Sequence, residues 1–231
     1  AFNSAHKQFA RYAKLQYEEE IKDKVKVPMR ISIMSAEDRT GRGGDHIPFR
    51  EEGITAVRFT SAHEHGDGHA DSEYTDRQHT TGDILGEDTN TDGTIDKYFV
   101  DFNYLGRNAQ INATSAAMAA MGPATPSFTL TRKYGTILQI RITDSGNHDH
   151  YRIALHTKGH EWDTVLTLKG TKETDLTVEP HKFYFVSVAS VDQDGTESLF
   201  TEELNVRTNN TSDKIKKKEV VRLLDKDRKS V

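Results

Sequence analysis

The chain has 231 residues, a formal net charge of −5 at pH 7 and no cysteine. That composition excludes a disulfide scaffold, thiolate zinc sites and a cysteine nucleophile, and its acidic balance argues against a general nucleic-acid or anionic-membrane binder. Hydrophobic residues at 34% suffice for a core, yet no run approaches the ~20 consecutive apolar residues that span a bilayer.

The sequence opens Ala1-Phe2-Asn3-Ser4, with no Met and no charged-then-apolar leader, inside a pattern that already reads as a helix. A processed or truncated product is expected from this. Phe9, Ala13, Tyr17 and Ile21 share one helical row with Tyr12 beside them, and Pro28 closes the segment. Glu18-Glu19-Glu20 sits mid-helix among Lys and Arg and reads as a solvated face. Met29 to Met34 is predicted as a strand, Pro48 to Gly53 as a short helical turn and Thr55 to Thr60 as a second strand. Helix, strand, turn and strand in that order predict an α/β unit with a parallel sheet.

Residues 61–97 are polar and too long for a plain connection. A long helix is predicted from Lys97 to Met121, capped by Asp96 and ended by Gly122-Pro123. Phe102, Leu105, Ala109, Ala113, Ala116 and Ala120 are its expected buried stripe, with alanines small enough for close packing on a sheet.

The texture changes after Pro123 and Pro126. From Phe128 to about Thr208 seven short alternating segments, separated by Gly, Asn and Asp turns, predict a small β-sandwich. Trp162, the single tryptophan, reads as core, and His148 and His150 carry no assigned role. The expected organisation is therefore an α/β part over 1–122, a linker over 123–127, an all-β sandwich over 128–208 and a charged tail over 209–231.

Two segments carry candidate chemistry. The first is Asp88-x-Asn90-x-Asp92-Gly93-Thr94-x-Asp96, with oxygen donors at alternating positions and Gly sixth, as in an EF-hand-like calcium loop. The twelfth position is Phe99, where such a loop has Glu. Calcium held by Asp88, Asn90, Asp92, Thr94 and Asp96 is one reading; an Asp/Asn/Gly-rich turn before a helix is the other. The second is the polar segment with His63, His65, His69 and His79, where neutral imidazole suits Zn²⁺. Composition alone does not choose among these histidines.

Three motifs in the first half resemble the zinc aminopeptidases of metallopeptidase family 28, the superfamily of bacterial leucyl aminopeptidases and glutaminyl cyclases. Gly44-Asp45-His46-Ile47-Pro48-Phe49 is similar to its "(S/G)DHxPF" loop, Gly53-Ile54-Thr55-Ala56-Val57-Arg58-Phe59 to its "G-x-P-A-x-x-F" strand, and His79-Thr80-Thr81-Gly82-Asp83 to its "H-T-x-x-D" segment. The resemblance implies the C-terminal half of a phosphorylase/hydrolase-like α/β domain. It also implies a secreted or periplasmic enzyme with two zinc ions that hydrolyses N-terminal residues from peptides. His79 would be one zinc ligand and Asp83 the partner that orients its ring. Asp45 fits either a contact to the substrate's amino group or the cap of the turn that Pro48 opens. His46 lies beside it and reads as structural, and Arg42 as an exposed loop residue.

The family's remaining ligands and its Glu base lie upstream of the "DHxPF" loop, and nothing in residues 1–40 matches them. No catalytic group is therefore expected within this chain, which alone should be inactive, and the upstream half is the expected partner of the two strands. A non-catalytic interaction module or degenerate fragment is the alternative, as is a glutaminyl cyclase-like enzyme with one zinc. Val178-x-Pro180-x-x-x-Tyr184-x-Val186-x-Val188 resembles the signature of fibronectin type III domains, with Tyr184 at the tyrosine-corner position.

Overall fold

The computed structural model describes residues 3–34, 44–60, 80–146 and 148–210. The charged tail beyond Asn210 and the His63 to His79 segment lie outside the described residues.

Seven antiparallel strands form two sheets. One has the order β3-β4-β7, from Phe128–Tyr134, Ile137–Ile142 and Glu173–Thr177. The other has the order β6-β5-β8-β9, from Thr164–Lys169, His150–His156, Phe183–Val191 and Leu204–Arg207. Three strands facing four, in this connectivity, is the type III sandwich topology. The core between the sheets comes from alternate residues: Leu130, Leu138 and Ile140 on one side, Tyr151, Ile153, Val186 and Val188 on the other. Tyr184 is buried, and its hydroxyl accepts the Glu179 N–H at 3.0 Å, which closes the corner before β8.

β8 is buried at every position from Tyr184 to Val191. A strand that meets solvent on one face would alternate; this one is covered on both. The cover is helical. α1 (Ala5–Gln16) is capped by the Ser4 hydroxyl, which accepts from Lys7 N–H. It runs on through a widened π-type turn, Tyr17–Ile21. Tyr12 of α1 and Met118 and Ala119 of α3 (Phe102–Met121) pack with Ala154, Ala189, Phe200 and Trp162 on the outer face of the four-stranded sheet. Trp162 and Phe200 have ring centroids 4.3 Å apart, so Trp162, expected as core, is partly buried against this cluster.

Around the far end of α1 lies a third, smaller cluster of Tyr17, Ile21 and Ile111, with Met29, Ile31 and Phe59 against it. The Tyr17 hydroxyl donates to Met29 O at 2.8 Å.

Three expectations for the first half are corrected. Residues 29–34 and 55–60 form no strand. They lie against helices, and among the described residues no neighbouring strand completes a ladder, without which an extended segment is not a sheet. The long helix starts at Phe102, capped by the Asp101 carboxylate accepting Tyr104 N–H, rather than at Lys97 behind Asp96. Its apolar stripe is not buried: Phe102, Leu105, Ala109, Ala113, Ala116 and Ala120 are all exposed, and Ile111 and Ser115 on the opposite side are buried.

Candidate functional site

Asp45 and His46 open α2 (His46–Glu51). Asp45 is exposed and makes no side-chain cap bond, so capping is not what holds it here. Gly44 is needed for close approach: a Cβ there would meet the His46 ring at 2.8 Å. The turn ends at Gly53, where φ is +76° and the Ile54 N–H returns to Phe49 O at 2.8 Å. His6 of α1 anchors the following segment by accepting the Ala56 N–H at 3.2 Å. Partial burial and the neighbouring Arg50 charge pull the His6 pKa down. Arg42 lies outside the described residues.

Thr80 to Asp83 form a tight turn, with Thr80 Oγ1 accepting from Gly82 N–H and Thr80 O from Asp83 N–H. Asp83 is exposed. His79, which this turn would present, lies outside the described residues. Among the described residues no group of three or more His, Asp or Glu side chains is placed to hold a metal ion. The described residues therefore do not by themselves supply a zinc site.

The loop read as a calcium site, Asp88 to Asp96, is closed by its own hydrogen bonds. β1 (Gly86–Glu87) and β2 (Lys97–Tyr98) pair antiparallel at its base. Gly86 is required there, since a Cβ would fall 2.4 Å from Lys97 O. Inside the loop, Asp88 accepts the N–H groups of Asp92 and Gly93, Asn90 accepts Asp92 N–H, and Asp92 accepts Thr94 N–H. Asp96 accepts both the amide and the hydroxyl of Thr89, and the amide bond is the main reason its pKa is lowered. Alternating donors serve the loop's own amides as Asx turns.

The most perturbed groups lie elsewhere, at the junction of α1 with the sandwich. Arg11, 2% exposed, donates from Nε to His160 O at 2.9 Å, from Nη2 to Gly159 O at 3.2 Å and from Nη1 to Glu203 Oε1 at 3.1 Å. The same Glu203 oxygen lies 2.8 Å from His156 Nε2, and His156 Nδ1 is 2.6 Å from Thr157 O. Burial lowers the Arg11 pKa, with Glu203 opposing it.

One turn along α1, Gln16 donates to Glu197 Oε2 at 2.6 Å, and the Tyr12 hydroxyl donates to Glu197 O at 3.2 Å. Arg152 forks onto Glu19 at 2.9 and 2.6 Å and stands 3.9 Å from Glu197 Oε1. Burial pushes the Glu197 carboxyl up to about 7, although Arg152 and Gln16 pull the other way. A carboxyl titrating near neutrality is a common mark of acid–base chemistry. Glu197 is 3% exposed, inside the packed junction, so its work is structural. Glu18 and Glu20 stay exposed with Lys14 and Lys24 near them, the solvated face that was expected. Sequence reading found none of the junction pairs, because their partners lie 133 to 192 residues apart.

No protein-family model matches the chain. Among curated proteins it is similar to a probable zinc metalloprotease of the fungus Pyrenophora tritici-repentis, 29% identical over 175 residues, covering 74% of this chain and 33% of that protein. A probable zinc metalloprotease of Leptosphaeria maculans is 30% identical over 98 residues, covering 42% and 20%. The chain thus spans a third or less of the length of these relatives. The 175-residue match is longer than either 1–122 or the remainder of the chain, so the likeness crosses the linker. Among solved structures, the FN5 domain of Drosophila Lar matches at 18% identity and TM-score 0.33, covering 38% of this chain and 98% of that one. The fn3 domain of human collagen alpha-1(XX) matches at 19% and 0.34, covering 42% and 94%.

Proposed function

We propose that this chain is the C-terminal part of a secreted zinc-dependent aminopeptidase that removes N-terminal residues from peptides. The observation that carries the reading is the likeness to probable zinc metalloproteases, which runs through both the helical part and the sandwich. The motifs at Asp45 to Phe49 and His79 to Asp83 narrow it to an aminopeptidase.

In this reading the zinc ions take most of their ligands, and the reaction its general base, from polypeptide upstream of these residues. His79 supplies one ligand. The exposed Asp45, at the tip of the turn before α2, contacts the substrate's amino group. Asp83 steadies the His79 ring. The sandwich fixes the end of α1 and thereby the helical scaffold that carries these loops. The division at 123–127 is a boundary in sequence texture; the two parts work as one body.

The natively produced protein and the isolated 231-residue chain should be assayed side by side for aminoacyl-anilide hydrolysis with added zinc. The native protein is expected to turn over, to lose activity with a chelator and to lose it in His79→Ala. The isolated chain is expected to be inactive. Chelator-sensitive turnover by the isolated chain would place the remaining ligands within it and overturn the assignment of roles. An inactive native protein would favour a non-catalytic module.

A further inference from the structure

Three segments of the chain have the pattern Asn-x-Ser/Thr without proline at x: Asn112-Ala113-Thr114, Asn209-Asn210-Thr211 and Asn210-Thr211-Ser212. In a secreted protein this pattern accepts an N-linked oligosaccharide, and the sugar's bulk requires that the folded asparagine stand on the surface. The fold separates the three. Asn112 is exposed, but it lies in the middle of α3, and its Nδ2, the atom to be modified, donates to Asn108 O at 2.8 Å. Asn209 is half-buried, directly after Thr208, which has no exposure. Its N–H donates to Gly135 O in the turn between β3 and β4 at 3.0 Å, which holds the chain against that turn. Asn210 is exposed. The His181 ring, in the corner before β8, donates from Nε2 to its Oδ1 at 2.8 Å, and Asn210 Nδ2 donates to no described residue. The backbone leading to it is fixed, since Thr208 N–H donates to Lys182 O at 2.9 Å and Thr208 Oγ1 accepts Lys182 N–H at 3.0 Å.

The geometry points to Asn210 as a glycosylation site of this chain, with Asn112 and Asn209 left unmodified. The inference rests on the functional reading above in one respect, that the protein is secreted. In the transfer, Asn210 Nδ2 bonds to C1 of an oligosaccharide carried on a lipid diphosphate. The C1–O bond to the diphosphate breaks, the lipid diphosphate leaves with the electron pair, and Nδ2 gives up one proton. His181 holds the amide by its oxygen, which leaves the nitrogen for the sugar. The position also keeps the sugar clear of the packed junction. β8 and β9 pair from Val186↔Leu204 to Phe183↔Arg207, so Asn210 follows the end of β9 that lies beside the start of β8. The connection that carries Glu197 and Glu203 to α1 is at the other end of this pair. A large hydrated group on Asn210 therefore sits at the end of the sandwich remote from α1.

The two overlapping patterns can be cut apart. Thr211→Ala destroys the one at Asn209 and keeps Asn210-x-Ser212, whereas Ser212→Ala destroys the one at Asn210 and keeps Asn209-x-Thr211. The natively produced protein and both variants from the same source are treated, in water enriched in heavy oxygen, with a glycosidase that turns each sugar-bearing asparagine into aspartate. Peptide mass spectrometry then reads the heavy label at residues 112, 209 and 210. Label at Asn210 is expected in the native protein and in Thr211→Ala, and its loss in Ser212→Ala. An unlabelled Asn210 in the native protein overturns the inference, as does label at Asn112 or Asn209, and this reading needs neither variant to fold. Hydrolysis is measured on the same native sample. Label at Asn210 without turnover leaves the modification standing and removes the peptidase reading; turnover with an unlabelled Asn210 does the reverse.

Discussion

The sandwich and the helical part solve the same problem with different degrees of self-sufficiency. The sandwich encloses twelve buried hydrophobic residues between its own sheets. Among the described residues the helical part has a cluster of three near Ile111, and Tyr12, Met118 and Ala119 lie against the sandwich. Phe49, Ile54, Leu85, Phe102 and Leu105 stay about half exposed. A region that buries so little apolar area within itself cannot offset the conformational entropy of ordering its chain. Its order is borrowed from the sheet beneath it, through Tyr12, Arg11 and Gln16.

The sharpest way to break that dependence is to empty the junction. Glu203→Ala leaves Arg11 buried without its countercharge. The expected cost is about 3–5 kcal/mol, read as a lowered midpoint in urea, with limited proteolysis cutting α1 before the sandwich. An unchanged midpoint would mean that α1 is held by apolar packing alone. The reverse experiment is Leu138→Ala, in a side chain with no exposure at all. A loss of about 2–5 kcal/mol is expected, and if order is borrowed, α1 and α3 lose hydrogen-exchange protection along with the strands. Helices that keep their protection would show the two regions to be independent.

Glu197 sharpens the comparison through pH. Its folded-state value near 7 is above the ordinary carboxyl value of 4.5, so the native state holds a proton that the unfolded chain has released. The contribution of Glu197 to stability is then fully present below about pH 4.5 and is lost as pH rises through 7, by about 3 kcal/mol in all. Glu197→Gln should flatten the stability profile across this window and be more stable than the parent at pH 8. A parallel profile in both proteins would show that Glu197 is not the group responsible. Within the sandwich, Tyr184→Phe removes the bond from Glu179 N–H and should cost about 0.5–1.5 kcal/mol by chemical denaturation. The smallest effect is expected at the 88–96 loop. EGTA should leave amide exchange at Gly93 and Thr94 unchanged, since Asp88 and Asp92 already hold those groups. Faster exchange on chelation would restore calcium to that loop.

The sandwich was legible because strand signals are local. Alternation around Ile153 and Val188, and turns at Gly170 and Gly195, depend on residues a few positions away. Tyr184 was readable for the same reason, its hydroxyl partner being five residues back. Residues 29–34 and 55–60 look like strands because apolar, β-branched residues favour extended backbone. What makes a strand is a neighbour, which no local pattern reports. The α3 stripe was read correctly as a face and wrongly as buried within this chain, because periodicity names a face without naming its cover. The candidate site was legible only as motifs. Of its residues, Asp45 and His46 stand at the start of α2, and Asp83 ends the turn that begins at Thr80. The buried Arg11, Gln16, Glu197 and Glu203 gave no signal, since charged residues read as surface until a distant partner is known.

The junction also sets what can be moved from one protein to another. Glu197 and Glu203 lie in the connection between β8 and β9, and both accept a hydrogen bond from a residue of α1. A graft of the seven strands alone would carry two acids shaped for burial onto an open surface, beside Phe200 and Ala189 stripped of their cover. The transplantable unit is the strands with the first helix attached. Any exchange of this module between chains has to take place upstream of Ser4 or bring a compatible helix with it.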